Sequence, residues 1–181
     1  MDHTDTSRAS IPSELRIGGM AKAELLAALR EHEIQLNEAA EVLFADPRFT
    51  TLGEERVVEL VAVSVAELGF GEGATYGEIV RRALDVGLVE CPLEVGPHLR
   101  LKFRAQADSA DGRSLTHGRA PPGSLVVASS PLDASDETPK GFYLRHVDRV
   151  LWLRGYWSSP DHVSSPGDVL VFSKALRDNA A

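Results

Sequence analysis

Five side chains with chemistry of their own fall into two short runs near the C-terminus. Tyr143 and Arg145 lie in Phe142–His146, and Trp152, Arg154 and Tyr156 lie in Val150–Trp157. The runs flank Val147-Asp148-Arg149 and read as a β-hairpin. Successive strand residues point to opposite faces, so Leu151, Leu153 and Gly155 go to one face with Phe142 and Leu144. Tyr143, Arg145, Trp152, Arg154 and Tyr156 gather on the other. Guanidinium groups fork carboxylates and phosphates, and aromatic rings stack planar groups. Such a surface suits an anionic or planar ligand. Upstream, Arg100, Lys102 and Arg104 alternate with Leu99, Leu101 and Phe103, the pattern of a half-buried strand with one basic face. Arg100, and His98 just before it, are therefore expected to extend the cationic surface. The plainer reading puts the aromatics under N-terminal helices, with the arginines reaching the rim.

Other chemistry-bearing motifs read more simply. Gly69-Phe70-Gly71-Glu72-Gly73 carries a carboxylate where a phosphate loop needs bare N–H groups, and no GxxxxGK[ST] occurs, so it is a turn. The histidines at 3, 32, 98, 117, 146 and 162 show no metal-ligand spacing. No metal and no cofactor is expected. Cys91 stands between Glu90 and Glu94, which disfavour a thiolate, and reads as a small core residue. No GxSxG elbow is present. The acidic run Asp133 to Glu137 lacks the spacing of an EF-hand and reads as a solvated loop.

The elements that must position these groups follow from period and punctuation. Residues 1–18 are polar, contain Pro12 and end at Gly18-Gly19, which predicts a flexible arm. Met20, Leu25, Leu26 and Leu29 recur at helical spacing. Asn37 is a candidate N-cap for a second helix that buries Ala40, Leu43 and Phe44 and stops at Asp46-Pro47. The β-branched run 56–65 predicts a strand. Thr75 and Glu78 have capping-box spacing before a helix that Gly87 ends. Residues 105–123 read as a long loop, 124–129 as a strand, and 169–172 as the strand that closes the sheet. Helices come early and strands late, which predicts an α+β fold with N-terminal helices packed on a mainly antiparallel sheet. A single domain is expected over 19–176, with a tail at 177–181.

Composition bounds the function classes. The 181 residues are 43% hydrophobic and 25% charged, ordinary for a globular domain. No apolar run approaches a membrane span, and the N-terminus lacks the features of a signal peptide. One cysteine excludes an internal disulfide, and a cytoplasmic location is expected. A net charge of −8 argues against a broad grip on nucleic acid, which depends on neutralising phosphates.

Gly73-Ala74-Thr75 with Glu78-Ile79, the run Cys91 to Leu101, Pro139 to Arg145, and Leu151 to Tyr156 resemble segments of a small, largely uncharacterised bacterial protein family. The resemblance implies no activity, cofactor or site residue. The leading expectation is a non-catalytic binding protein for a small anionic or planar ligand or a protein partner, using Tyr143, Arg145, Trp152, Arg154, Tyr156, Arg100 and His98. A hydrolase-type enzyme built from His98, His117 or His162 with nearby carboxylates is the first alternative. It requires two of these histidines within hydrogen-bond reach of one acid. A nucleic-acid accessory protein is the second.

Overall fold

The computed structural model describes residues 10–109 and 120–175. Strand β1 (Glu14–Ile17) is followed by helix α1 (Lys22–Glu31), strand β2 (Gln35–Leu36), helix α2 (Glu38–Ala45) and the long strand β3 (Arg56–Ser64). Next come β4 (Ala74–Thr75), α3 (Tyr76–Asp85), β5 (Leu88–Val89), α4 (Val95–Lys102) and β6 (Leu125–Val127). The hairpin β7 (Gly141–Val147) and β8 (Val150–Tyr156), then β9 (Val163–Ser164) and β10 (Val169–Lys174), complete the chain. The fold is α+β. Its main sheet has the order β1-β3-β10-β6-β7-β8-β2, with β5 also paired to β10. The β10–β6 and β2–β8 pairs are parallel, and the other pairs are antiparallel. Among the described residues no helix is long and apolar enough to cross a membrane.

The local signals form as chemistry dictates. The Asn37 side chain accepts from Ala40 N–H at 3.1 Å and starts α2. The Glu78 carboxylate accepts from both the N–H and the hydroxyl of Thr75, at 2.9 and 2.7 Å, and fixes the start of α3. Gly87 takes φ +81° just past the C-cap Val86.

Two expectations are corrected. The predicted arm is not free along its length: Glu14–Ile17 pairs antiparallel with Ile17↔Arg56 through Glu14↔Glu59, and it buries Leu15 and Ile17. Alternating burial on a borrowed ladder compensates for its polar composition. Residues 1–9 and the tail at 177–181 lie outside the described residues. The predicted strand at Leu99–Phe103 is instead α4 and its C-cap. Val95, His98 and Leu99 satisfy the helical i, i+3, i+4 spacing equally well, and all three are buried. Pro97 is accommodated because it stands in the first turn, where an N–H has no intrahelical partner.

The two faces of the sheet are covered differently. One face carries Leu60, Val171, Leu125, Val127, Phe142, Leu144 and Leu153, and packs with Leu25, Leu29, Leu43, Phe44, Val95 and Leu99 from α1, α2 and α4. The other face carries Leu170 and Phe172, and packs with Ile79 and Ala83 of α3 and with Val65 and Leu68. This second cluster extends along the sheet as far as Val126 on β6.

One side chain joins the first layer to the hairpin. Besides capping α2, Asn37 accepts from Gly155 N–H at 2.8 Å and donates to Gly155 C=O at 3.0 Å. Its amide thus pairs with the outer strand as a strand backbone would. Only a glycine fits opposite it, because a Cβ on Gly155 would stand 2.6 Å from the Ala39 carbonyl carbon and 2.7 Å from Ala40 N. Asn37→Ala removes a cap worth about 1 kcal/mol and two strand bonds worth about 0.5–1.5 kcal/mol each. We expect it to lower unfolding free energy by about 2–4 kcal/mol in urea titrations. Gly155→Ala should cost a comparable amount through overpacking, about 1–3 kcal/mol. Full stability in either variant would show that the clasp carries no weight.

Candidate functional site

The hairpin register brings the five C-terminal side chains onto one surface. Tyr143 is opposite Arg154 and Arg145 opposite Trp152, while Gly141 faces Tyr156. Leu144 and Leu153, of the other parity, are fully buried in the cluster beneath α2 and α4. The five therefore form a wall on the side away from α1, α2 and α4. The α3 cluster stops beside it at Val126, the cross-strand partner of Tyr143.

Within the wall the Arg154 guanidinium lies over the Trp152 ring, 4.9 Å from its centroid. Its Nε is buried and has no hydrogen-bond partner among the described residues. Arg145, on the neighbouring strand, is 7% exposed. The Tyr143 and Tyr156 rings stand 6.3 Å apart at 58°. Trp152, Arg154, Tyr143 and Tyr156 are all half-buried, so each presents part of its surface.

A polar corner, missed in the sequence, adjoins the Tyr156 end of the wall. Tyr76 Oη donates to Glu90 Oε1 at 2.7 Å and stands 3.1 Å from the Ser129 carbonyl. Ser130 Oγ donates to Glu90 Oε2 at 2.7 Å. Ser129 Oγ is buried with no hydrogen-bond partner among the described residues. A Cβ at Gly141 would stand 2.9 Å from that oxygen and 3.5 Å from Tyr156 Oη, so the bare glycine is what lets Ser129 pack this close to the wall. Burial, then the neighbouring Tyr156 and Glu90, hold the Tyr76 phenol protonated far above its ordinary range. Burial and Glu90 act on Tyr156 in the same direction. Both remain donors at any working pH. The sequence held no local signal for this corner, because Tyr76, Glu90 and Ser129 come from three separate segments.

Two expected wall residues lie elsewhere. Arg100 is fully buried on α4, where Nη1 donates to Gln106 Oε1 at 2.6 Å and Nη2 to the Phe103 carbonyl. Burial, and then Arg104, push it down to about 10. His98 is buried on the same helix, where its Nε2 accepts from Gly18 N–H at 3.3 Å. The helical turn that replaces the expected strand takes both side chains inward instead of onto a sheet face.

His98 Nε2 also lies 3.5 Å from the buried Glu94 Oε2, and Glu94 Oε1 accepts from Leu52 N–H at 3.1 Å. Glu94 borders a cleft of about 320 Å³ that Thr50, Thr51, Arg56 and Leu132 also line. The pair ties α4 to backbone on both sides. His146 Nδ1 is engaged by the Gln106 carbonyl at 2.6 Å, and the His162 backbone N–H donates to the Ser159 carbonyl. Neither is found at Glu94, and His117 lies outside the described residues. Among the described residues no group of His, Cys, Asp and Glu could hold a metal ion.

No protein-family model, no curated protein and no solved structure matches this chain.

Two predictions follow from the buried groups. Burial pushes the Cys91 thiol up to about 12, with Glu90 adding to the effect. Cys91 should stay unreactive toward a disulfide reagent in native buffer and react at once in denaturant; rapid native reaction would overturn its burial. For His98, burial outweighs the opposing pull of Glu94 and Glu55, so the folded state disfavours the imidazolium below its ordinary 6.5. The unfolded chain then binds a proton that the folded chain refuses, and stability falls as pH drops below about 6.5. Urea midpoints should decline from pH 7 to 5.5, and His98→Gln, which keeps an acceptor for Gly18, should flatten that decline.

Proposed function

We propose that this protein binds a small planar anion on the wall formed by Tyr143, Arg145, Trp152, Arg154 and Tyr156. The observation that carries the reading is Arg154. Its guanidinium is stacked on Trp152 and has a buried Nε without an acceptor among the described residues, with a second arginine on the next strand. A guanidinium with an unfilled N–H is a ready donor to an anionic oxygen, and charge-assisted bonds of this kind are the strong ones. A guanidinium stacked on indole is pre-oriented, so little side-chain freedom is lost on binding. The tyrosine rings supply flat apolar area next to it for the body of the ligand. The net charge of −8 is consistent with a local anion site but not with a surface for long polyanions. We read the role as binding, since the five wall side chains themselves include no nucleophile paired with a base. We place this work in the cytoplasm, where a lone buried thiol is stable.

A probe with a flat body and an anionic group, and no hydrogen-bond donor on its rings, isolates the wall. We expect 1-naphthyl phosphate to quench the fluorescence of Trp152 in a Trp157→Phe background and to bind saturably by calorimetry. Arg154→Ala should weaken binding at least tenfold, and Trp152→Ala should weaken it similarly, with thermal midpoints within a few degrees of the parent. Absence of saturable binding, or equal affinity in both variants, would falsify the reading.

A further inference from the structure

We infer that the ligand of this wall is a nucleoside phosphate whose base edge offers paired N–H donors, as guanine does. The inference rests on the wall as an anion site and adds the polar corner to it. Along β8, Tyr156, Arg154 and Trp152 share one face at steps of about 6.6 Å, twice the rise of a strand residue. On β7, Gly141, Tyr143 and Arg145 stand opposite them in turn. Read from one end, the surface therefore runs from carboxylate and hydroxyls, past Tyr156, to Tyr143 with Arg154 beside it, and then to Arg145 with Trp152. Acceptor, flat apolar area and cation lie in line, one to two steps apart. A nucleoside monophosphate has the complementary order: donor edge, planar base, phosphate.

The corner has the chemistry to read that edge. Tyr76 and Ser130 each donate one hydrogen bond to a different oxygen of Glu90. Each carboxylate oxygen keeps a further lone pair, and the two clamps fix its plane. Two parallel N–H donors on a planar base then meet two fixed acceptors, the geometry that makes bidentate pairs selective. Ser129 Oγ, buried and without a partner among the described residues, stands beside Tyr156, where the bare Gly141 lets it approach closely. A base whose edge pairs a donor with an acceptor, as in adenine, sets a lone pair against one carboxylate oxygen. The site thus discriminates by an unpaired acceptor as well as by an added bond.

The test uses the full chain with three probes: GMP, AMP and 1-naphthyl phosphate. We expect GMP to bind at least tenfold more tightly than AMP in calorimetric titrations. Glu90→Gln should erase that preference, lowering GMP affinity at least tenfold while leaving 1-naphthyl phosphate unchanged. Ser130 is exposed, so Ser130→Ala keeps the fold and loosens the clamp. It should lower GMP affinity several-fold without touching 1-naphthyl phosphate. Equal binding of GMP and AMP, or an unchanged GMP affinity in both variants, overturns the inference. So does binding of 1-naphthyl phosphate without either nucleotide, which leaves the planar-anion reading standing. Failure of all three probes removes the wall itself as a site. Binding of single-stranded oligonucleotides without GMP would also overturn it, in favour of a polymer ligand.

Discussion

The Asn37 amide, closed on both backbone groups of Gly155, is the contact on which the rest of the arrangement depends. A strand offers only two parities, and a helix backbone pressed against Gly155 leaves one of them. With Gly155 turned toward α2, Leu153 must follow it, and Trp152, Arg154 and Tyr156 must turn away. The cost of choosing wrongly is large, because the alternative would bury two arginines under α2 and α4 without acids. A cap that satisfies helix and strand together therefore decides which side chains face outward.

Among the described residues, the helices leave part of that outward surface uncovered. Three helices cover one side of the sheet and α3 covers part of the other, so coverage ends between β6 and β7. The polar corner sits at that boundary, where the chain leaving β5 and the turn after β6 come together through Cys91 N–H and the Ala128 carbonyl. Two strands hold the wall and the first residue of α3 holds Tyr76, while Glu90, Ser129 and Ser130 stand just past β5 and β6. Side chains held this way lose little freedom on binding, which favours affinity without a large contact area.

Much of the fold was legible because its signals are local. Asn37, Thr75 with Glu78, and Gly87 act within four residues of themselves, and hairpin parity needs only a turn and a period of two. The misread segment shows the limit. Leu99, Leu101 and Phe103 satisfy a strand pattern, yet Val95, His98 and Leu99 satisfy a helical one, and only tertiary contact with Phe142 decides between them. A Cβ at Gly96 would lie 2.8 Å from that ring, which places the helix directly on the hairpin. The second task of Asn37 spans 118 residues, and the Tyr76–Ser129 contact spans 53. No periodicity encodes pairings of that kind. The site divides the same way: the wall could be read from alternation, while the corner needed the folded chain.

The sheet ends in very short strands, four residues at β1 and two at β2. Beyond β2, the ladder of β8 at Gly155 is occupied by the Asn37 side chain instead of another strand. An outermost strand rich in tryptophan, leucine and tyrosine would otherwise be a template for edge-to-edge growth of one molecule on the next. Closing that edge with a side chain and a two-residue strand lets the protein keep an aromatic surface while resisting self-aggregation.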